Sequence, residues 1–277
     1  MMFWKRSATL QIGSRRYDMS NLYFEFDVPF KDSDTLGTAS ITVHNLADAT
    51  RKEIVKGTPV ILNAGYEGDI GVIFTGKVSR VVDEHSDTEW ITKITGVEAL
   101  EEWLSSEVNK TYAENSTSSA IINDLLTMFG LEVGTMELVE DKTYPRGRVC
   151  KGKVKDVLKE IITLDCKSRF LIRNGTVIIS DPAAGQDMGY ELSASTGLLR
   201  ADTETSDTET TTNQTTQSKE EKTPTYTRRC LLNYHLNPAD VITIKSQTLN
   251  GKYLLVAGSH KGKPDGDWVT EIEVKPA

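Results

Sequence analysis

The sequence predicts an α+β, mainly β protein in which two similar antiparallel β-barrel domains flank a small α+β domain. Three observations predict it: apolar and polar residues alternate through the first and last thirds, helical spacing is confined to the middle third, and the order of strand patterns in the first third recurs in the last. The 277 residues allow two or three small domains at roughly 100–200 residues each. Boundaries fall at 1–100, 101–189 and 190–277, with a polar insertion at 201–224.

Leu22, Phe24, Phe26 and Val28 alternate with Tyr23, Glu25 and Asp27, and Ala39, Ile41 and Val43 with Ser40, Thr42 and His44, so each strand buries one face. A helical turn near Asn45–Ile54 leads past Gly57 into the strand Thr58–Tyr66, with Pro59 at a strand start or edge because it cannot donate to a ladder. A turn at Gly68–Gly71, a strand over Val72–Val82, a polar turn at Asp83–Asp87 and a strand over Trp90–Val97 complete a closed or nearly closed barrel. From Glu98 to Pro182 the period changes. Ile121, Ile122, Leu125, Leu126 and Phe129 form a helical stripe that Gly130 stops, and Val154, Val157, Leu158, Ile161 and Ile162 form a second. Asn174-Gly175 then joins Arg169–Arg173 to Thr176–Ser180 as a hairpin, and both helices are expected to pack on one face of this short sheet. Ala201–Pro224 is rich in Thr, Ser, Asn, Gln and charge, with no aromatic and no aliphatic larger than Ala. It reads as a mobile loop dispensable for folding, a recognition tail being the alternative. Strands resume at Tyr226–Tyr234, Asp240–Gln247, Lys252–His260 and Trp268–Lys275.

In both outer thirds a strand, a second strand ending in His, a charged turn and a strand opening Trp-x-Thr-x-Ile follow one another, at His85 with Trp90 and at His260 with Trp268. Chance likeness between short strand patterns is the alternative to a true repeat.

The formal net charge is −8, with 38% hydrophobic and 26% charged residues. No apolar run nears the ~18–20 residues of a membrane span, and the start, Met1–Arg6, lacks the apolar stretch of a secretory signal, so synthesis and folding in the cytosol are expected. An acidic balance without a dense Lys/Arg stripe argues against specific nucleic-acid binding. Cys150, Cys166 and Cys230 fit neither a disulfide framework nor a zinc site and read as small buried hydrophobes. His44, His85, His235 and His260 are dispersed with no ligand-spaced partner, and His85 and His260 read as turn residues. Glu101-Glu102 and Glu220-Glu221 could be imagined as acid and base but read as solvated carboxylates. Trp90 and Trp268 are expected to fill the core, exposed partner anchors being the alternative. No nucleophile elbow or phosphate loop is present, and no catalytic, cofactor or metal residue is assigned.

The segments Ile41–Leu46, Lys56–Val60, Ala64–Gly68 and Ile73–Val78, with Thr196–Leu199, Leu231–Asn233, Leu249–Tyr253 and Gly266–Thr270, resemble the ordered short signatures of phage tail baseplate hub proteins. The resemblance covers nearly the whole chain. Asn237-Pro238-Ala239-Asp240 stands where that family has a Pro-Gly-Asp turn, and Lys263 where an acidic residue is frequent. The resemblance implies a non-enzymatic homotrimer located in a virion or tail-like particle. Each subunit would offer two similar barrels to a sixfold tail tube or its initiator protein, with a central spike opposite and a tape measure protein as a further partner. Three chains with two barrels each supply six similar modules, as symmetry matching requires. Two other classes stay open: a tail-associated peptidoglycan hydrolase, disfavoured because the three units use up the chain, and a receptor- or carbohydrate-binding tail module, which an aromatic cluster at a barrel mouth would favour.

Overall fold

The computed structural model describes residues 5–32, 36–86, 88–98, 106–128, 132–173, 176–183, 185–199 and 224–277. Met1–Trp4, Phe129, Gly130, Asn174-Gly175, both Glu pairs and the insertion up to residue 223 lie outside them. The chain opens with β1 (Arg6–Ile12), β2 (Arg15–Asp18), β3 (Phe24–Lys31) and β4 (Thr38–His44). The helix α1 (Asp48–Glu53) leads to β5 (Pro59–Tyr66), β6 (Asp69–Ser86) and β7 (Glu89–Val97). A middle unit holds β8 (Glu107–Tyr112), β9 (Ser116–Thr117), α2 (Ser118–Met128), β10 (Glu132–Met136), β11 (Thr143–Tyr144) and β12 (Arg148–Lys153), then α3 (Val154–Lys159), β13 (Arg169–Arg173) and β14 (Thr176–Ser180). The last part is β15 (Gln186–Ser193), β16 (Tyr226–Leu231), β17 (Asp240–Lys245), β18 (Asn250–Gly262) and β19 (Trp268–Pro276).

The outer thirds do not form two closed barrels. They share one open 12-stranded sheet, ordered β15-β17-β18-β3-β4-β7-β6-β5-β1-β2, with β19 on β18 and β16 on β19. The physical reason is the length of β18, whose first part pairs with β17 and whose last six residues pair with β3. A strand long enough to serve two groups makes them continuous. Nor is the pairing antiparallel throughout, because β15 runs parallel to β17 and β10 parallel to β14. The predicted turn at Asp83–Asp87 is strand as far as Ser86, where cross-strand pairs such as Lys93 with Glu84 at 2.7 Å let a polar segment stay in the ladder.

Local chemistry sets the elements. The β5–β6 hairpin turns at Glu67-Gly68, where Gly68 takes φ +83°, and Pro59 opens β5. Asn45 leaves β4 at φ +54°, a left-handed conformation its short amide tolerates, and its Oδ1 accepts the Trp90 backbone N–H at 3.1 Å. The second predicted helix is α-helical only to Lys159 and continues as a π-helical turn over Glu160–Asp165.

Three apolar cores form. The first gathers the inward residues of β1 and β3 to β7, such as Leu10, Phe24, Ile41, Leu62 and Phe74, and takes Leu232 and Trp268 from the last third. The second joins α2 and α3 to Phe170, Ile172, Val177 and Ile179 of the small β10-β14-β13 sheet and encloses Cys150 and Cys166. The third lies in the last third around Cys230, Ile242, Leu255 and Ile272. All three cysteines are free and buried, as small hydrophobes would be. Among the described residues the middle unit shares no ladder with the large sheet. A buried ion pair from Arg169 Nε to Asp32 Oδ2, 3.0 Å long, ties them, and Arg169 Nη2 also donates to the Pro182 carbonyl at 2.8 Å.

Candidate functional site

The most organised feature of the chain is the seam where its two strand groups meet, so this seam is the candidate site. Gly262 lies directly opposite Phe26, and Gly258 opposite Phe30. Each ring lies over a glycine. A Cβ on Gly262 would meet Phe26 at 2.2 Å, and one on Gly258 would meet Phe30 at 2.4 Å, so only glycine admits the rings. Phe26 in turn meets the Trp268 ring edge-on at 5.6 Å. Trp268 is 2% exposed, and its indole Nε1–H donates to the Gly65 carbonyl at 3.1 Å, so β19 fills the first core and also bonds to β5.

Polar contacts fasten the same seam from outside. Arg6 Nη1 donates to the Gly266 carbonyl at 2.7 Å and the Lys263 carbonyl at 3.3 Å, bridging β1 to the β18–β19 turn, where no ladder exists. Tyr23 Oη donates to Asp265 at 2.6 Å; burial first, then this bond, pushes its pKa up to about 12. Tyr234 Oη donates to Asp69 at 2.7 Å, and that bond is the leading cause of its own rise to about 12. The Tyr234 ring lies where a Cβ on Gly71 would be, which docks the segment after β16 onto β6. Ser259 donates to Asp27 across the β3–β18 pairing. Chemically this arrangement positions and holds the two strand groups against each other.

The residues singled out in the sequence are dispersed. His44 Nδ1 lies 3.2 Å from Glu89, His85 packs against Trp90 at 4.7 Å, His235 packs on Tyr234 at 3.9 Å, and His260 is buried with Nδ1 2.9 Å from Thr270 Oγ1. Among the described residues no group of three or more His, Cys, Asp or Glu side chains is placed to hold a metal. Trp268 fills the core, but Trp90 does not: it is 39% exposed, with the Arg51 guanidinium 3.6 Å from its ring centre. The two His–Trp motifs also sit in different registers. His85 pairs directly with Trp90 across a short turn, whereas His260 pairs with Thr270 and Trp268 with Gly262, so the second hairpin has the longer loop. The equivalence lies in strand pathway instead. In each group one strand leads through a connection to two successive hairpins and pairs with the last strand of the three: β4 with β7, and β16 with β19. Neither Arg6 nor Tyr234 carried a sequence signal; the signal that could have found the join is the pair of glycines four apart inside a strand, Gly258 and Gly262, which the sequence reading passed over.

The folded chain superposes over 98% of its length on the 43 kDa tail protein of prophage MuSo2 from Shewanella oneidensis, covering 98% of that chain, with a TM-score of 0.71 at 10% identity. The chain has the fold of phage tail proteins. A tail protein from Neisseria meningitidis matches this tail-protein fold with a TM-score of 0.68 at 9% identity, over 98% of this chain and 97% of that one. The E. coli c3393 protein matches at 0.59 and 12% identity over 97% of this chain and 74% of its own. It is described as a component of the type VI secretion system with structural similarity to T4 bacteriophage tail proteins gp27 and gp5. No protein-family model and no curated protein matches the sequence. In this tail-protein fold the signature residues Ala64, Gly65 and Tyr66 close β5 beneath Trp268, and Gly266-Asp267 lead into β19 against Arg6, so two of the resembling segments lie at the seam.

Proposed function

We propose that the chain is a baseplate hub: a non-enzymatic, homotrimeric adaptor that joins a sixfold tail tube to a threefold central spike within a phage tail or tail-like particle. The observation that carries this reading is the duplicated strand pathway, β4 to β7 and β16 to β19, built into one sheet and locked at its seam. An adaptor must present two similar surfaces per subunit at a fixed angle, since three subunits then match six tube subunits. The seam supplies the fixed angle. The units 1–100, 101–189 and 190–277 serve in this reading as first module, spacer and second module, with Leu232 and Trp268 of the third completing the first. The tube or its initiator, the spike and the tape measure protein are the proposed partners, and metal or cofactor chemistry has no part.

The experiment is light scattering of the purified chain followed by imaging of the assembled particle. A mass of three times 30.7 kDa and a ring at the tube end are expected. A monomer within the particle would remove the mechanical basis of the proposal. Cell-wall lysis by the purified chain, abolished by a single carboxylate substitution, would favour a hydrolase instead.

A further inference from the structure

One stretch runs against the acidic balance of the chain: between Arg146 and Lys159 stand six cations and one carboxylate. The fold treats these cations unequally. Arg148 is drawn inward to Glu160 at 2.9 Å and to Asp165 and Tyr144, where it is consumed by the middle unit. Arg146, Lys151 and Lys153 are exposed and make no ion pair among the described residues. Lys151 and Lys153 alternate along β12 with Val149, so all three point to the same side, and Val149 is 64% exposed. Opposite them on β8 stand Thr111, Asn109 and Glu107, all exposed, so the outward face carries two cations against one carboxylate, with Arg146 exposed in the turn that leads into β12. Among the described residues β8 and β12 pair with each other alone, and Val108 and Cys150 on the opposite face are buried in the second core.

We propose that the outward face of the β8–β12 ribbon is a docking surface for an extended acidic segment of a partner protein. Charge complementarity selects the occupant. Residues two apart on a strand are roughly 6.5–7 Å apart, so Val149, Lys151 and Lys153 match an apolar residue and two carboxylates spaced two apart on an extended partner. A nucleic-acid backbone fits less well, because strong phosphate tracking takes on the order of 6–10 contacts, and here an apolar side chain sits at one end and Glu107 at the other. The proposal is independent of the hub reading, since it rests on the middle unit alone.

The test is fluorescence anisotropy of the full chain with a labelled peptide of alternating Glu and Thr carrying one Leu, beside a labelled DNA duplex of equal charge. The peptide should bind at low salt and weaken as salt rises. The triple variant R146E/K151E/K153E should bind on the order of tenfold more weakly, and Val149→Asp should weaken binding as well. The control K77E/R80E, which reverses exposed cations on β6, should bind as the parent does. Circular dichroism melts show whether each variant is folded. Peptide binding unchanged in both the triple variant and Val149→Asp would overturn the proposal, as would no peptide binding at low salt. A duplex that binds more tightly than the peptide and is lost with the triple variant would assign the face to nucleic acid instead.

Discussion

Replacing Gly262 by Ala tests the seam at its tightest point. The new methyl would lie 2.2 Å from Phe26 Cζ and 2.4 Å from Cε1, well inside contact distance. Phe26 is 5% exposed and wedged against Trp268, so its ring cannot swing aside without disturbing the first core. Overpacking of this kind costs about 1–3 kcal/mol. Phe26→Ala alone leaves a void and should cost about 3–5 kcal/mol. The double variant is the informative one, because the methyl added at position 262 then enters space the ring has vacated. We expect a favourable coupling of about 1–3 kcal/mol that cancels the cost of Gly262→Ala, leaving the double variant no less stable than Phe26→Ala. Urea unfolding followed by both circular dichroism and tryptophan fluorescence supplies the numbers, with coincident curves as the condition for a single free energy. In heat the 1–3 kcal/mol of Gly262→Ala corresponds to a Tm lowered by about 2–12 °C for a chain of this size. Strict additivity, or a neutral Gly262→Ala, would show that the ring is free to move and that glycine is not required for the join.

Trp268→Phe keeps an aromatic ring but removes the donor to the Gly65 carbonyl and part of the buried indole, and should cost about 1–3 kcal/mol in the same urea assay, more than Trp90→Phe at its 39% exposed position. Burial pushes the Asp165 carboxyl up, but bonds from Lys142 and Tyr144 and the Arg148 charge outweigh it and hold the group below the ordinary carboxylate value. The stability this gives is complete above about pH 4 and is lost as pH falls through the folded value, so Asp165→Asn should flatten the acid limb of a pH–stability curve. Tyr23, Tyr144 and Tyr234 all ionise only at about 12 in the folded chain. Their neutral forms favour folding fully below about pH 10, and that contribution disappears as pH climbs from there to about 12, so tyrosinate absorbance should rise late and together with loss of circular dichroism.

The alternation of Phe24, Phe26 and Val28, the two helical stripes and the Arg169–Ser180 hairpin were legible because burial of one face imposes a period on local sequence. What escaped was set by partners far away in the chain. The dual pairing of β18 depends on Phe26 and Phe30 standing opposite Gly262 and Gly258, and no window of a dozen residues contains both sides of that match. Short strands such as β2, β9 and β11 are too brief to show a period at all. Trp90 and Trp268 open similar motifs yet meet opposite environments, because hairpin register, which those motifs do not specify, decides which face each ring occupies. The Tyr–Asp bonds at the seam were invisible for the same reason.

The sharing of β18 also bears on how the chain acquires its shape during synthesis. Asp27 and Ser259 bond across an interval of 232 residues, and the first core stays incomplete until Trp268 arrives. On the ribosome β3 therefore emerges early with one flank unsatisfied, and it must wait for almost the entire polypeptide before its neighbour exists. Such long-range closure slows folding and leaves a pairing-competent edge available to other nascent chains. Refolding yield should then fall steeply with protein concentration, and a chaperone that shields strand edges should help this protein more than one whose sheet neighbours are adjacent in sequence.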